Sequence, residues 1–443
     1  MSIIQKPKLS LANLEVYEEQ DPLNLFYSGI KSEETKIDYR KTLREFLFSI
    51  DDFEGTLEER AKQFVKFARD EHLKLKQLLK NYAIFLKHRT EQPIDDENYL
   101  NPSTLPNKFK GVKKFLKMNE IPIEWVNIET IFPEITNIQP TRGYTTEEIR
   151  QILDYSTDIT TDFLILAESS SGMRVGGWED QVWGNIKPIY QIKPGIYSHD
   201  ENKAEPHSKI VCASMVVYNG TSSKYLGLIS IEAWDKLQSV KKQWIQKMKR
   251  EPKPEDQIIL PRYKDGRGFS KNGVRNKINK LIERSGIQRN LKKGRRTYEV
   301  PATHGLRKRW NKIMSEQKIT EDSHANLIRK ERLFGHKVGV TKLDNCYFFS
   351  EIEEAVPQYL HAISELMISE EYRAKRELQF VQDENNHLQQ TIKEKDDALV
   401  MLEELKMKFE RFEKYQENRY CGITTQTEGV VSNTKNLSSS SSH

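Results

Sequence analysis

The sequence predicts a mostly α fold with a small β-sheet: a helical domain, then a mixed α+β domain, then a C-terminal coiled coil. Three observations carry this. Apolar residues recur at helical spacing from Ser32 to about Met118. Two β-rich runs, KIVCASMVVY (209–218) and KYLGLIS (224–230), flank the turn-forming NGTSS and read as a hairpin. From Leu378 onward, apolar positions alternate at spacings of three and four.

Residues 1–20 show little apolar periodicity and read as a flexible arm. Residues 21–125 follow as a helical domain of four or five helices. In it Ile37, Tyr39, Leu43, Phe46, Leu47 and Ile50 share one face, and Leu75, Leu78, Leu79, Tyr82, Phe85 and Leu86 another. A further helix carries Phe109, Val112, Phe115 and Leu116. The proline-containing, aperiodic stretch 126–143 is the expected linker.

The second domain spans 144–366. Thr145 and Glu148 are spaced as a capping box for TEEIRQILDYS, and the apolar DFLILAESSSG is expected to end as a helix at Gly172. Beyond the hairpin, helices are expected around Ile231–Met248, Lys271–Ser285, His304–Ser315 and Ala325–Phe334. Residues 367–421 form the coiled-coil segment. Its seam runs Leu378, Val381, Asn385, Leu388, Ile392, Lys395, Leu399, Leu402, Lys406, Phe409, with a lone amphipathic helix packed on its own domain as the other reading. Asn385 on that seam could fix the register of a two-stranded pairing. The polar residues 422–443, ending NLSSSSSH, read as a disordered tail.

At 443 residues the chain needs more than one core, and 37% hydrophobic with 30% charged residues fits a folded chain with a charged extension. Cys212, Cys346 and Cys421 are too few and scattered for a disulfide framework or a zinc site, which points to a reducing, intracellular setting, cytoplasmic or nucleoid-associated. The N-terminus lacks the build of a signal peptide, and no apolar run approaches a membrane span. Charge is unevenly placed. Residues 241–300 hold 19 Lys/Arg against 6 Asp/Glu, whereas 351–443 hold 11 against 18. A basic block beside an acidic tail fits a polyanion-binding core with an appended interaction segment, or a solvated lysine-rich surface.

No metal motif, phosphate-cradling glycine loop or serine-hydrolase elbow is present, and no cofactor is expected. Three segments of the second domain carry chemistry instead: SSSGMRVGGWEDQVWGNI with Arg174, PATHGLRKRW with His304 and Arg307 on one helix face, and RLFGHKVGVTKLDNCYFF with His336 and Tyr347. Metal-free phosphodiester cleavage needs these residue types. Guanidiniums grip non-bridging oxygens two-pronged and neutralise developing charge. A histidine one turn from an arginine can bond the phosphate or move a proton. A tyrosine is both nucleophile and leaving group, so bond energy is kept for religation.

This order resembles the tyrosine recombinase (phage-type integrase) family, and within it the archaeal integrase-like proteins. The family runs Thr-Gly-x-Arg, then Trp-x-Asp-Ile beginning nine residues after the arginine. Ser171-Gly172-Met173-Arg174 and Trp183-Gly184-Asn185-Ile186 keep that register. His304-Gly305-Leu306-Arg307 matches the His-x-Leu-Arg box, Leu333-Phe334-Gly335-His336 the Leu-x-Gly-His box, and Tyr347 falls at the nucleophile. The resemblance covers roughly residues 20–366. It implies a helical, SAM-like core-binding domain and a catalytic domain. It further implies double-stranded DNA as partner, a tetramer on DNA, a 3′-phosphotyrosyl intermediate, and no metal or ATP.

Two departures stand out. Gly177 replaces the glutamate usual three residues after the first arginine, and His336 to Tyr347 is about two residues longer than usual, with Tyr359 nearby. Tyr359 lies in QYLHAISEL, which reads as a packing helix, so Tyr347 is the favoured nucleophile. The family's sheet-turn lysine, which protonates the departing 5′-hydroxyl, falls to Lys224, with Lys209 second. Lys308, Arg309, Lys292, Lys293, Arg295 and Arg296 are candidates for phosphate-backbone contacts. The alternatives are a catalytically inactive DNA-binding protein of the same fold and a coiled-coil partner-binding protein.

Overall fold

The computed structural model describes residues 21–134, 141–179, 181–193, 195–203, 209–260, 270–291, 298–317, 323–336 and 352–434. They divide into two compact units. The first comprises the described residues up to Thr141 with the segment Arg289–Glu299, and the second the remainder.

The first unit is helical: α1 (Pro22–Ser28), α2 (Glu33–Leu47), α3 (Leu57–Asp70), α4 (His72–Thr90), α5 (Leu105–Met118) and α6 (Val126–Glu129). Side-chain caps start several of these. Asp21 accepts from Leu23 and Asn24 N–H ahead of α1, Ser32 caps α2, and Thr56 with Glu59 closes a capping box on α3. Their apolar faces meet in one core containing Phe26, Phe46, Phe64, Phe109 and Phe115, all fully buried. Ile37 and Phe85, expected in that core, are 68% and 55% exposed. At 100° per residue each lies about 120° from the centre of its helix's buried stripe, so tertiary packing takes the narrower face. The core also reaches past the expected boundary at residue 125, since Ile128 is buried in it and Ile131 and Phe132 pack against it.

The second unit begins with α7 (Thr146–Asp154) and α8 (Ile159–Ser171), followed by the sheet strands β1 (Ile186–Lys193), β2 (Ile196–Ser198), β3 (Ile210–Val217) and β4 (Tyr225–Ser230). Then come α9 (Ile231–Met248), α10 (Lys271–Arg284), α11 (Ala302–Glu316), α12 (Ser323–Leu333), α13 (Ile352–Leu366) and α14 (Glu370–Thr434). The Thr145–Glu148 capping box opens α7 as expected, and Gly172, at φ 63°, terminates α8 in the left-handed region. The sheet is antiparallel in the order β2-β1-β3-β4, with the predicted hairpin in register from Cys212↔Ser230 to Val217↔Tyr225. α8 is buried along most of its length and packs on β4, α9 and α11.

α14 is a continuous helix that runs through Gly422 to Thr434, beyond the expected end at residue 421. Its base is bound into the second unit. Glu232 accepts from Ile368 and Ser369 N–H, Arg150 donates to Ile368 O and pairs with Glu370, and Arg373 donates to Met367 O and Thr146 Oγ1. Further along, Leu378, Val381, Leu388, Ile392, Leu399, Leu402 and Phe409 are all more than half exposed, so the seam does not fold back onto its own domain. Among the described residues no helix is long and apolar enough to cross a membrane.

Candidate active site

Arg307 is the fixed point of the site. α11 starts after Pro301, and its second turn carries Arg307 into the interior, where the residue is 2% exposed. Its guanidinium donates to Gly172 O at the end of α8 and, at 2.8 Å, to Phe334 O after α12. Its Cζ also lies 3.4 Å from the centroid of the Phe334 ring, which stacks on Trp310 one turn along α11. Three distant segments are thus tied by one side chain. Burial, and then the charge of Arg174, pull the Arg307 guanidinium down to about 10, so it stays charged at neutral pH.

Gly172 and Gly335 make this approach sterically feasible. Both have positive φ, and a Cβ at either would sit under 3 Å from an aromatic ring: Trp310 for Gly172, Tyr225 for Gly335. The turn at Gly335 sets His336 beside Arg307, with Nε2 3.3 Å from a guanidinium nitrogen and Nδ1 2.5 Å from Glu331 Oε2. A carboxylate at Nδ1 assigns the proton there, leaving the Nε2 lone pair toward Arg307. Glu331 is held below its ordinary range despite partial burial, by its bonds to His336 and Lys330.

Arg174 leads into the short 3-10 turn Val175–Trp178 and is exposed, with no ion pair to a described residue. It lies within electrostatic reach of both Arg307 and His304. His304, in the first turn of α11, is solvent-exposed, and its imidazole is pushed below its ordinary value by desolvation from the neighbouring chain and by the charges of Lys308, Arg307 and Arg174, which favours the neutral ring at pH 7. Arg174, His304, Arg307 and His336, drawn from three separate segments, therefore gather in one electropositive site. Among the described residues neither arginine is ion-paired to a carboxylate, an arrangement suited to a dianionic or developing anionic oxygen centre.

The structure also accounts for Gly177. A Cβ there would lie 2.7 Å from both Met173 Cε and Val217 Cγ1, so the space a glutamate would need is already filled. A buried carboxyl comes from another position. Glu168 of α8 accepts from Trp178 Nε1 at 2.8 Å, and burial pushes its carboxyl up to about 8.

The remaining candidates divide. Lys224 sits exposed at the hairpin end next to Tyr225, the end that borders Gly335, whereas Lys209 precedes β3 at the strand's far end. Lys308 is half-buried near His304. Arg309 is corrected: it is buried, donates to Glu365 O, Leu366 O and Thr146 Oγ1, and so binds α11 to the α13–α14 junction instead of meeting phosphate. Tyr359 is fully buried with its hydroxyl donating to Ser170 O at 3.0 Å, and burial holds its phenol far above the ordinary value. Tyr347, Cys346, Lys292, Lys293, Arg295 and Arg296 lie outside the described residues. Sequence reasoning missed Tyr218 and Tyr225, which line the arginines. Their place at the two ends of the hairpin turn was the available signal.

No family model and no curated protein matches the chain. Its structure is similar to those of site-specific recombinases and integrases. XerA recombinase shares 13% identity, covering 76% of this chain and 98% of that one at a TM-score of 0.29. A lambda integrase dimer bound to a COC' core site shares 16%, covering 74% and 75%, at 0.38. XerH site-specific recombinase bound to palindromic difH substrate shares 14%, covering 76% and 96%, at 0.41. Likeness this distant assigns neither membership nor activity.

Proposed function

We propose that this chain is a metal- and ATP-independent DNA strand transferase of the tyrosine recombinase type. The observation that carries the reading is the convergence of Arg174, His304, Arg307 and His336 on one electropositive site, with Arg307 buried and held by two carbonyls. Such preorganised charge is what a phosphodiester transition state requires.

In the proposed step the Tyr347 hydroxyl oxygen attacks the scissile phosphorus. Arg174, exposed, meets a non-bridging oxygen as DNA arrives, and Arg307 forms the fixed floor. Neutral His304 can accept the phenolic proton. The bond from phosphorus to the 5′-oxygen breaks, and that oxygen leaves as a hydroxyl with a proton from Lys224 or water. The 3′-phosphotyrosyl link is then attacked by a 5′-hydroxyl, which reverses the sequence. Double-stranded DNA is the proposed substrate, and the exposed seam of α14 supports self-association through a coiled coil, with a tetramer as the working assembly on DNA.

The test is covalent trapping. Full-length protein is incubated with suicide DNA drawn from the sequence flanking its own gene. The expected result is a protein–DNA adduct that Tyr347→Phe abolishes while retardation of the same DNA persists. DNA retardation without any adduct from the unaltered protein would replace this reading with a catalytically inactive DNA-binding protein.

A further inference from the structure

Tyr218 follows β3 with φ 54°, a left-handed backbone that a ring-bearing residue rarely adopts. Its carbonyl closes the hairpin turn by accepting from Thr221 N–H and Thr221 Oγ1. That turn aims the ring at the arginine site. A Cβ built on Gly176 would lie 3.2 Å from the Tyr218 hydroxyl oxygen, so the hydroxyl hangs over the 3-10 turn that begins at Arg174. The ring lies 6.2 Å, centroid to centroid, from that of Tyr225, whose own face is covered by Gly335.

The hydroxyl makes no hydrogen bond to a described residue, although the phenol is half-enclosed. Arg174 and Arg307 both act on it electrostatically. A donor held by an unfavourable backbone, beside two guanidiniums and without an acceptor among the described residues, is arranged for an acceptor that arrives from outside.

We propose that the Tyr218 hydroxyl donates a hydrogen bond to a non-bridging oxygen of the phosphate gripped by Arg174 and Arg307, making it a further catalytic residue of the strand transferase. This rests on the function proposed above. Burial keeps the phenol protonated, as a donor must be, and argues against a proton transfer to the leaving oxygen. No covalent step runs through Tyr218.

The test compares full-length protein with Tyr218→Phe on two suicide DNAs, one all-oxygen and one with sulfur at the 5′-bridging position, whose leaving group needs no proton. The expected result is a 10- to 100-fold slower adduct formation on both, with DNA retardation within twofold of the unaltered protein. Tyr218→Phe keeps ring and backbone, so an unchanged melting temperature is expected. A slowing that disappears on the sulfur DNA would overturn the inference by making Tyr218 the general acid. An undiminished rate, or a loss matched by lowered melting temperature, overturns it as well. If the unaltered protein forms no adduct, the strand-transferase reading falls first and this inference with it.

Discussion

Replacing Glu168 by glutamine should make the second unit less sensitive to alkaline pH. Glu168 is 1% exposed, one oxygen accepts from Trp178 Nε1, and the other is buried without a hydrogen-bond partner among the described residues. Burial raises its carboxyl from 4.5 to about 8, so the folded state holds it as the neutral acid. A raised folded-state value means the stabilising contribution is complete below 4.5 and is lost as pH rises through about 8. Each pH unit inside that window costs up to ~1.4 kcal/mol, on the order of 4 kcal/mol between pH 5 and pH 8. Glutamine is isosteric with the protonated acid, still accepts from Trp178, and does not titrate. At pH 5 the two proteins should differ only by the cost of a buried amide N–H without a partner, ~1–3 kcal/mol. Urea unfolding followed by tryptophan fluorescence from pH 5 to pH 8 gives both curves. Glu168→Gln should gain steadily on the unaltered protein as pH rises; parallel curves would refute the burial argument.

Arg307→Lys should cut adduct formation by at least about two orders of magnitude, because an ammonium cannot serve two carbonyls and a phosphate in one plane; near-normal cleavage would count against phosphate binding by Arg307. Gly172→Ala should lower the melting temperature through the combination of positive φ and the Trp310 ring against any Cβ; an unchanged melt would show that the turn relaxes. Truncation after Arg376 should leave suicide-substrate cleavage intact and lower the mass measured by light scattering, whereas truncation after Leu366 should also destabilise the fold, since Met367 and Ile368 are buried. Identical masses for full-length and Arg376-truncated protein, with and without DNA, would remove the self-association reading.

Features carried by local chemistry were legible in the sequence: the Thr145–Glu148 box, the Gly172 stop and the hairpin around NGTSS all depend on neighbours within a few residues. β1 and β2 were not, because Pro188 within IKPIYQIK reads against a strand until its pairing with β3 is known. The arginine and histidine boxes were legible as spacing, and the structure brings four of their residues together. Arg309 was misread for a clear reason. It stands two residues from Arg307, about 200° around α11, and only the tertiary neighbour on that side decides between solvent and the carbonyls of Glu365 and Leu366. Tyr218 could be placed at the hairpin turn, but its left-handed backbone could not be read, because neither glycine nor asparagine occupies the position.

The uninterrupted course of α14 turns strand polarity into distance. With a rise of 1.5 Å per residue, the seam begins only about 12 Å from the helix's anchored base at Glu370. Two copies paired head to head would hold their bases ~10 Å apart, the ordinary spacing of packed helices. Paired head to tail, with Leu378 opposite Phe409, the same seam would separate the bases by roughly 70 Å. A single spin label near Glu370 would read one spacing or the other. Polarity would thus determine whether the two anchored helix bases, each bound into its own second unit, stand side by side or are held apart by most of the length of the seam.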